Sequence, residues 1–121
     1  MRWLLLVIGA AAAATPQATA QPAPRPIAVT VTRAIGGFDP QRLRRGLRQH
    51  AATCRQRGAF GTVRLTLVLR DEPGRRGLRV QAARGDAQLR GCLVRALPAA
   101  AWPTGSLDGT AEFAVTIRVA P

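Results

Sequence analysis

The chain of 121 residues has few of the side chains on which enzymatic chemistry depends. It contains one histidine, His50, and one serine, Ser106, so a Ser-His or Cys-His site would have to bring one of very few groups to His50. Six acidic residues are present, of which Asp39 and Asp86 stand where helix caps are expected. No pair of carboxylates shares an evident face for acid–base work. We therefore predict no catalytic residues and a non-enzymatic role.

Metal and cofactor sites also lack their usual residues. Cys54 and Cys92 are the two cysteines, and the closely spaced ligand pairs of zinc motifs are missing. No Gly-rich phosphate loop leads from a strand into a helix. Aromatic residues do not alternate with arginine on a predicted wet strand face, as they do in proteins that stack single-stranded nucleic acid. We expect no metal, no cofactor and no nucleic acid.

The start of the chain is apolar but short. Arg2 precedes an apolar run over 3–14, and residues 18–20 (Ala-Thr-Ala) offer a cleavage site of small residues. About twelve apolar residues are too few to cross a bilayer, which takes roughly 20. No cysteine follows the run to carry a lipid anchor. The pattern predicts a signal peptide at 1–20, a mature chain that starts at Gln21 and does not span the membrane, and a periplasmic or secreted location.

Export would place the two cysteines where disulfides persist. Cys54 and Cys92 each lie on the apolar stripe of a predicted helix, and a bridge between them closes 38 positions. Loop-closure entropy gives such a bridge about 4 kcal/mol of stabilisation. We predict this disulfide as the staple of a small domain with a thin core. The alternative is an uncleaved anchor with two inert, buried thiols.

Hydrophobic periodicity predicts six elements in the order β-α-β-β-α-β. The strand patterns occupy residues 27–33, 61–70, 78–82 and 110–119. Helices are expected to follow Asp39 and Asp86 as N-caps and to end near Gly58 and Pro98. Pro and Gly at the centre of 72–75 favour a type II turn between the second and third strands.

Each long strand has one apolar side, so both helices should cover one sheet face and leave the other face wet. The polar residues expected on the wet face are Arg64, Thr66, Arg79, Gln81, Thr116 and Arg118. Val68 shares that side of its strand, whereas Ala82 should continue the apolar side. The sequence thus predicts a small two-layer α+β sandwich. Its divisions are a signal peptide (1–20), a Pro-rich start with the first strand (21–37), and the disulfide-stapled domain (38–121).

The predicted elements carry a distinctive set of small, apolar and cysteine residues. A helix with one cysteine precedes G-x-V-x-L-x-L-x-L, a Gly-containing hairpin, a helix with the second cysteine, and a Trp-Pro step. The residues are Cys54, Gly61, Val63, Leu65, Leu67, Gly77, Val80, Cys92, Trp102 and Pro103. This layout resembles the C-terminal domain of the AgmX/PglI gliding-motility family, which is similar in layout to the TonB C-terminal domain.

The resemblance covers residues 38–119 and implies an envelope-located, non-enzymatic interaction domain with a TonB-C-like fold. Two features of TonB domains are absent here, namely the usual Tyr-Pro motif and a long Pro-rich spacer after a membrane anchor. Energy coupling through an inner-membrane anchor is therefore not implied.

All 18 basic residues are arginine, and lysine is absent. Without residues 1–20, 17 arginines stand against six acids, a net charge of +11 that should attract anions. The absence of lysine indicates a coding bias toward GC-rich codons as much as a function. The alternative is therefore that the arginines form an ordinary solvated basic surface. The candidate contacts for an anion or partner are Arg64, Arg75, Arg76, Arg79 and Arg118. Two functions stay open: an unknown envelope protein adds a strand to a sheet edge, or the basic surface binds an anionic envelope polymer or lipid.

Overall fold

Apolar alternation in four segments produces one antiparallel sheet. The structure, a computed structural model, describes residues 26–104 and 109–121. Its elements are β1 (Ile27–Ile35), α1 (Pro40–Gln56), β2 (Gly61–Glu72), β3 (Arg75–Gly85), α2 (Ala87–Ala99) and β4 (Gly109–Val119). The strands pair in the order β1-β4-β2-β3. The predicted α+β class and element order are confirmed, whereas the predicted signal peptide and Ser106 lie outside the described residues.

Both ends of α1 follow from its flanking residues. The carboxylate of Asp39 accepts a hydrogen bond from the backbone N–H of Gln41 at 2.9 Å, as predicted for an N-cap. Gly58, with φ of 84°, allows the chain to reverse after the last turn. The N–H of Ala59 then donates to the carbonyl of Cys54 at 3.0 Å, which completes a Schellman motif.

The β2–β3 hairpin is longer than its apolar patterns indicated. Glu72 pairs with Arg75 across the predicted turn, and Gly74 adopts φ of 79°, as the third position of a type II turn requires. Strand pairing continues from there to Gly85. β2 therefore begins at Gly61 as predicted and reaches beyond 61–70 at the tip, whereas β3 reaches beyond 78–82 at both the tip and the base.

One apolar core lies between the helices and one face of the sheet. α1 packs over β1, α2 packs over β3, and the two helices contact each other. The helix side of the core is made of Leu43, Leu47, Ala51, Cys54, Leu89, Cys92, Leu93 and Leu97. Phe38, which precedes α1, is buried with its ring edge-to-face against Phe113 of β4, at 6.2 Å between centroids.

The predicted disulfide is present. Cys54 and Cys92 are bonded across the helix pair, with 6.0 Å between their Cα atoms, and both are buried in the core. The bond joins the last turn of α1 to the middle of α2. Neither cysteine of the chain keeps a free thiol.

Each of the two outer strands contains a β-bulge. In β1 the extra residue is Thr32, and in β3 it is Gln81. The second bulge reverses the side on which the following residues lie, so Ala82 pairs with Thr66 on the face away from the helices. Ala83 takes the core-facing place instead. The prediction that Ala82 continues the apolar side was wrong because strict alternation was carried through the bulge.

Asp86 precedes α2 but does not cap it. No side-chain hydrogen bond joins Asp86 to the helix; its carboxylate accepts from the backbone N–H of Thr62 in β2 at 2.7 Å. Gly61, with φ of 119°, makes room for this approach, since a Cβ there would overlap the carboxylate. Asp86 stands at the predicted N-cap position, but the prediction that its side chain caps the helix was wrong. Its carboxylate joins the start of α2 to the sheet instead.

Candidate functional site

The sheet face opposite the helices, here called the open face, carries arginine on all four strands. These residues are Arg33, Arg64, Arg70, Arg79, Arg84 and Arg118. In the described part of the chain none of them forms an ion pair. The ion pair found there joins Arg76 to Asp71, at 3.1 Å. Glu72 and Glu112 lie on the same face, so the open face keeps a net positive charge that is compensated only in part.

The five predicted contact arginines fall into two groups. Arg64, Arg79 and Arg118 share the open face, as predicted. Arg75 and Arg76 lie at the hairpin tip, where Arg76 is held by Asp71. Arg79 links the two groups, because it also lines a cleft of about 170 Å³ with Arg75 and Arg76.

Three further open-face arginines were missed. Arg70 falls on the polar side of the second strand pattern, and that alternation was the signal for it. Arg33 follows the bulge in β1, and Arg84 lies beyond the predicted end of β3. Neither position was therefore marked by a regular alternation of apolar and polar residues.

A groove of about 280 Å³ lies on the open face. Its floor is made of three small side chains that stand side by side on neighbouring strands: Ala82 of β3, Thr66 of β2 and Ala114 of β4. On β1 the residue opposite Ala114 is Arg33. The bulged Thr32 beside it lines the groove and donates its hydroxyl to the carbonyl of Ala114 at 3.0 Å. Both bulges therefore flank the same row of residues.

Two arginines line the groove together. Arg64 and Arg84 are directly opposite each other on β2 and β3, and Thr116 is opposite Arg64 on β4. Both arginines are exposed. Like charges directly opposite in a sheet are destabilising by up to about 1 kcal/mol. The groove thus has a concentrated positive charge beside a floor without long side chains.

Val68 departs from the prediction of a wet face. It lies on the open face but is only 2% exposed, and it does not belong to the core between sheet and helices. Its direct cross-strand partners are Arg79 and Glu112. The aliphatic stems of such long side chains can cover a neighbour while their charges stay in water, which explains the burial.

A second cleft, of about 270 Å³, lies between α1 and the segment 101–103. Trp102 is half-buried there, and its indole N–H donates to the carbonyl of Leu97 at 2.9 Å. The ring lies against Gly46 and 5.9 Å from the ring of His50. His50 therefore packs beside an aromatic ring, and the indole is held by α2 as part of the scaffold.

The two outer edges of the sheet differ in charge. Among residues 26–104 and 109–121, no strand pairs with the outer side of β1 or of β3. β3 carries four arginines in eleven residues, whereas β1 carries Arg33 alone in nine. Ile27 and Val31 of β1 are half-buried against the core, and Ile35 is 45% exposed.

Comparisons with known proteins yield no family model, no curated protein and no solved structure that matches the chain. In the described residues, neither helix has the length and apolar character needed to cross a membrane. Function is therefore inferred from the sheet edges and the charged face.

Proposed function

We propose that the protein is an exported, non-enzymatic interaction domain of the cell envelope, of the kind that resemblance to the AgmX/PglI C-terminal domain implies. Its partner is an envelope protein that adds a strand to the outer edge of β1. The Cys54–Cys92 disulfide supports an oxidising location, because such bonds persist in the periplasm and outside the cell.

The contrast between the two edges carries the choice of β1. Charged side chains protect an edge strand against pairing with another chain, and β3 has four of them. β1 offers nine residues with one charge, and residues 27–31 before its bulge at Thr32 pair in regular register. Strand addition at β1 would therefore meet less electrostatic opposition than addition at β3.

The side chains of β1 specify the complementary segment. Ile27 and Val31 are half-buried at the margin of the core, so apolar residues on the same side of an added strand would extend that core. Arg33 faces the other side and favours an acidic residue beside it. The expected partner segment alternates apolar and polar residues and includes a carboxylate.

A pull-down from envelope extract with residues 21–121 tests this proposal. Ala28→Lys with Thr30→Lys places two charges on exposed positions of β1. Gln81→Lys with Gln88→Lys adds the same charge at exposed positions elsewhere. We expect the β1 variant to lose the partner and the control to retain it. Equal capture by both variants, each with wild-type stability, would contradict pairing at β1.

Export is tested separately by N-terminal sequencing of the protein from its native envelope. We expect the chain to start at or near Gln21. An intact Met1 in that material would overturn export as proposed here.

The second candidate function is binding of an anionic envelope polymer or lipid by the basic surface. The arginines of the open face favour it, since none of them forms an ion pair within residues 26–104 and 109–121. Each phosphate neutralised by arginine releases counterions, so polymer binding should weaken steeply with salt, whereas main-chain pairing at β1 should weaken much less. The pull-down is therefore performed at two salt concentrations. The loss of captured partner between the lower and the higher salt concentration separates the two functions.

A further inference from the structure

We propose that the groove on the open face is a binding site for the phosphate group of a soluble, sugar-sized phosphate monoester. Arg64 and Arg84 would hold the phosphate over the floor formed by Thr66, Ala82 and Ala114. This site goes beyond strand addition at β1 and does not depend on it.

The arginine pair provides the first reason. Arg64 and Arg84 are adjacent across β2 and β3, exposed, and without a carboxylate partner among the described residues. One carboxylate can satisfy one guanidinium fork. A phosphate monoester carries nearly two negative charges and three acceptor oxygens, so it can accept from both forks and cancel their repulsion.

The bulge in β3 provides the second reason. Leu67 pairs with Val80, so an unbroken ladder would set Gln81 opposite Thr66 and fill the groove with a long side chain. The bulge removes Gln81 from that place and puts Ala82 there. Bulges commonly re-aim side chains next to binding sites. Here the bulge clears space directly beside the two arginines.

Hydroxyl groups add neutral donors to the site. Thr66 lies on the floor, and Thr116 is opposite Arg64, so each can donate to a phosphate oxygen. The hydroxyl of Thr32 is already used by the carbonyl of Ala114, and this bond fixes the β1 end of the row. The donors therefore come from three strands of a rigid sheet.

The size of the groove sets the class of ligand. Its volume, about 280 Å³, lies just below the range of about 300–1,000 Å³ that is typical of small-molecule sites. Insertion into lipid would need exposed apolar side chains around the arginines, and the lining is made of threonine, alanine and arginine beside Leu65 and Val115 of the strands. A soluble phosphate monoester fits this chemistry better than a membrane surface.

Calorimetric titration of residues 21–121 with glucose 6-phosphate and with inorganic phosphate, at constant ionic strength, tests the site. We expect saturable binding of both, and no comparable binding of acetate or chloride. Arg64→Gln with Arg84→Gln should weaken binding about tenfold or more, because charge-assisted bonds are lost. Arg42→Gln with Arg45→Gln, on α1, is the matched control of equal charge and should bind as the wild type.

A second variant separates the groove from general charge. Ala82→Gln restores a long side chain on the floor and keeps every arginine, so it should block the phosphate. The ligand-free Arg84→Gln protein should melt at the same or a higher temperature than the wild type, since repulsion with Arg64 is removed; a purely structural arginine would lower it.

Several results would overturn the proposal. These are wild-type affinity in Ala82→Gln, equal loss in the α1 control, or capture by anionic lipid vesicles without binding of glucose 6-phosphate. The single β1 variant Ala28→Lys should weaken pairing at β1 and bind phosphate normally, because its cross-strand partner Arg118 does not line the groove. Thr30→Lys is left out of this comparison, since Thr30 is directly opposite Thr116. Failure of the phosphate site and failure of pairing at β1 are thereby distinguishable.

Discussion

At the scale of single residues, Gly46 shows how tertiary packing decides the effect of a substitution. Glycine inside a helix normally costs about 1 kcal/mol relative to alanine. Gly46 lies in the middle of α1, yet a Cβ there would come within 2.5 Å of the Trp102 ring. The ring is held in turn by its hydrogen bond to Leu97. Glycine at this position is thus a requirement of the tryptophan packed against the helix.

We predict that Gly46→Ala destabilises the protein or displaces Trp102, against the helix propensity of alanine. Trp102 is the one tryptophan in residues 21–121, so its fluorescence reports displacement while urea unfolding reports stability. Gly91→Ala in α2 is the matched control, because a Cβ there meets only the end of Arg95 at 3.8 Å. This control should gain up to about 1 kcal/mol.

The same substitution in a Trp102→Ala background completes the test. Without the indole ring, Gly46→Ala should become stabilising by up to about 1 kcal/mol. If Gly46→Ala stabilises the protein equally with and without Trp102, the close contact does not explain the glycine.

The disulfide leads to a second prediction. Cys54→Ser should lower the free energy of unfolding by about 2–5 kcal/mol, as for other small secreted domains, because the 38-position loop is no longer closed. Chemical denaturation of oxidised wild type and variant measures the difference. The mass of natively exported protein after alkylation without reductant should show no modified thiol. Two alkylated cysteines in that material would contradict the bridge.

At the scale of elements, Asp86 couples the start of α2 to the start of β2. We predict that Asp86→Ala costs about 0.5–1.5 kcal/mol, because the N–H of Thr62 exchanges its carboxylate acceptor for water at this exposed site. Asp86→Asn keeps an acceptor oxygen and should cost less. Hydrogen exchange at the Thr62 amide gives a local readout, which should accelerate in the alanine variant. Unchanged protection there would show that the bond is unimportant.

The elements that could be predicted from sequence are those with a local chemical signal. Asp39, Gly58 and the Pro73-Gly74 turn each act on their own few residues, and the structure has them as predicted. The bulge at Gln81 has no such signal, because it results from how β3 aligns with β2. The groove depends on that alignment, so its floor could not be predicted from the alternation of apolar residues.

The predictions for Asp86 and Val68 departed from the structure for related reasons. An aspartate before a helix is typical of an N-cap, yet a strand N–H close in space competed successfully for its carboxylate. Val68 was assigned correctly to the open face, but its burial depends on the cross-strand residues Arg79 and Glu112. Both outcomes depend on partners far away in the sequence.

At the scale of the whole molecule, positive charge is spread over both layers. α1 carries arginines outside its buried stripe, the open face carries others, and the hairpin tip adds Arg75 and Arg76. Such a charge accelerates encounters with any anionic partner at low salt, whatever surface then makes the specific contact. Affinity at low salt alone therefore does not identify the binding surface.

Reversing the charge of the hairpin tip separates the two candidate functions of the whole domain. Arg75→Glu with Arg76→Glu removes the ion pair of Arg76 with the half-buried Asp71 and sets glutamates directly opposite Glu72 and Asp71. These changes destabilise the hairpin tip, so capture is compared once thermal unfolding shows that the core of the variant persists. Strand addition at β1 uses main-chain groups on the opposite edge of the sheet from β3. We predict that the double reversal leaves capture of the partner largely intact at moderate salt, whereas binding to an anionic polymer should weaken several-fold with a shallower salt slope. If the reversal abolishes capture of every envelope partner at moderate salt, the charged surface, and not the β1 edge, is the functional one.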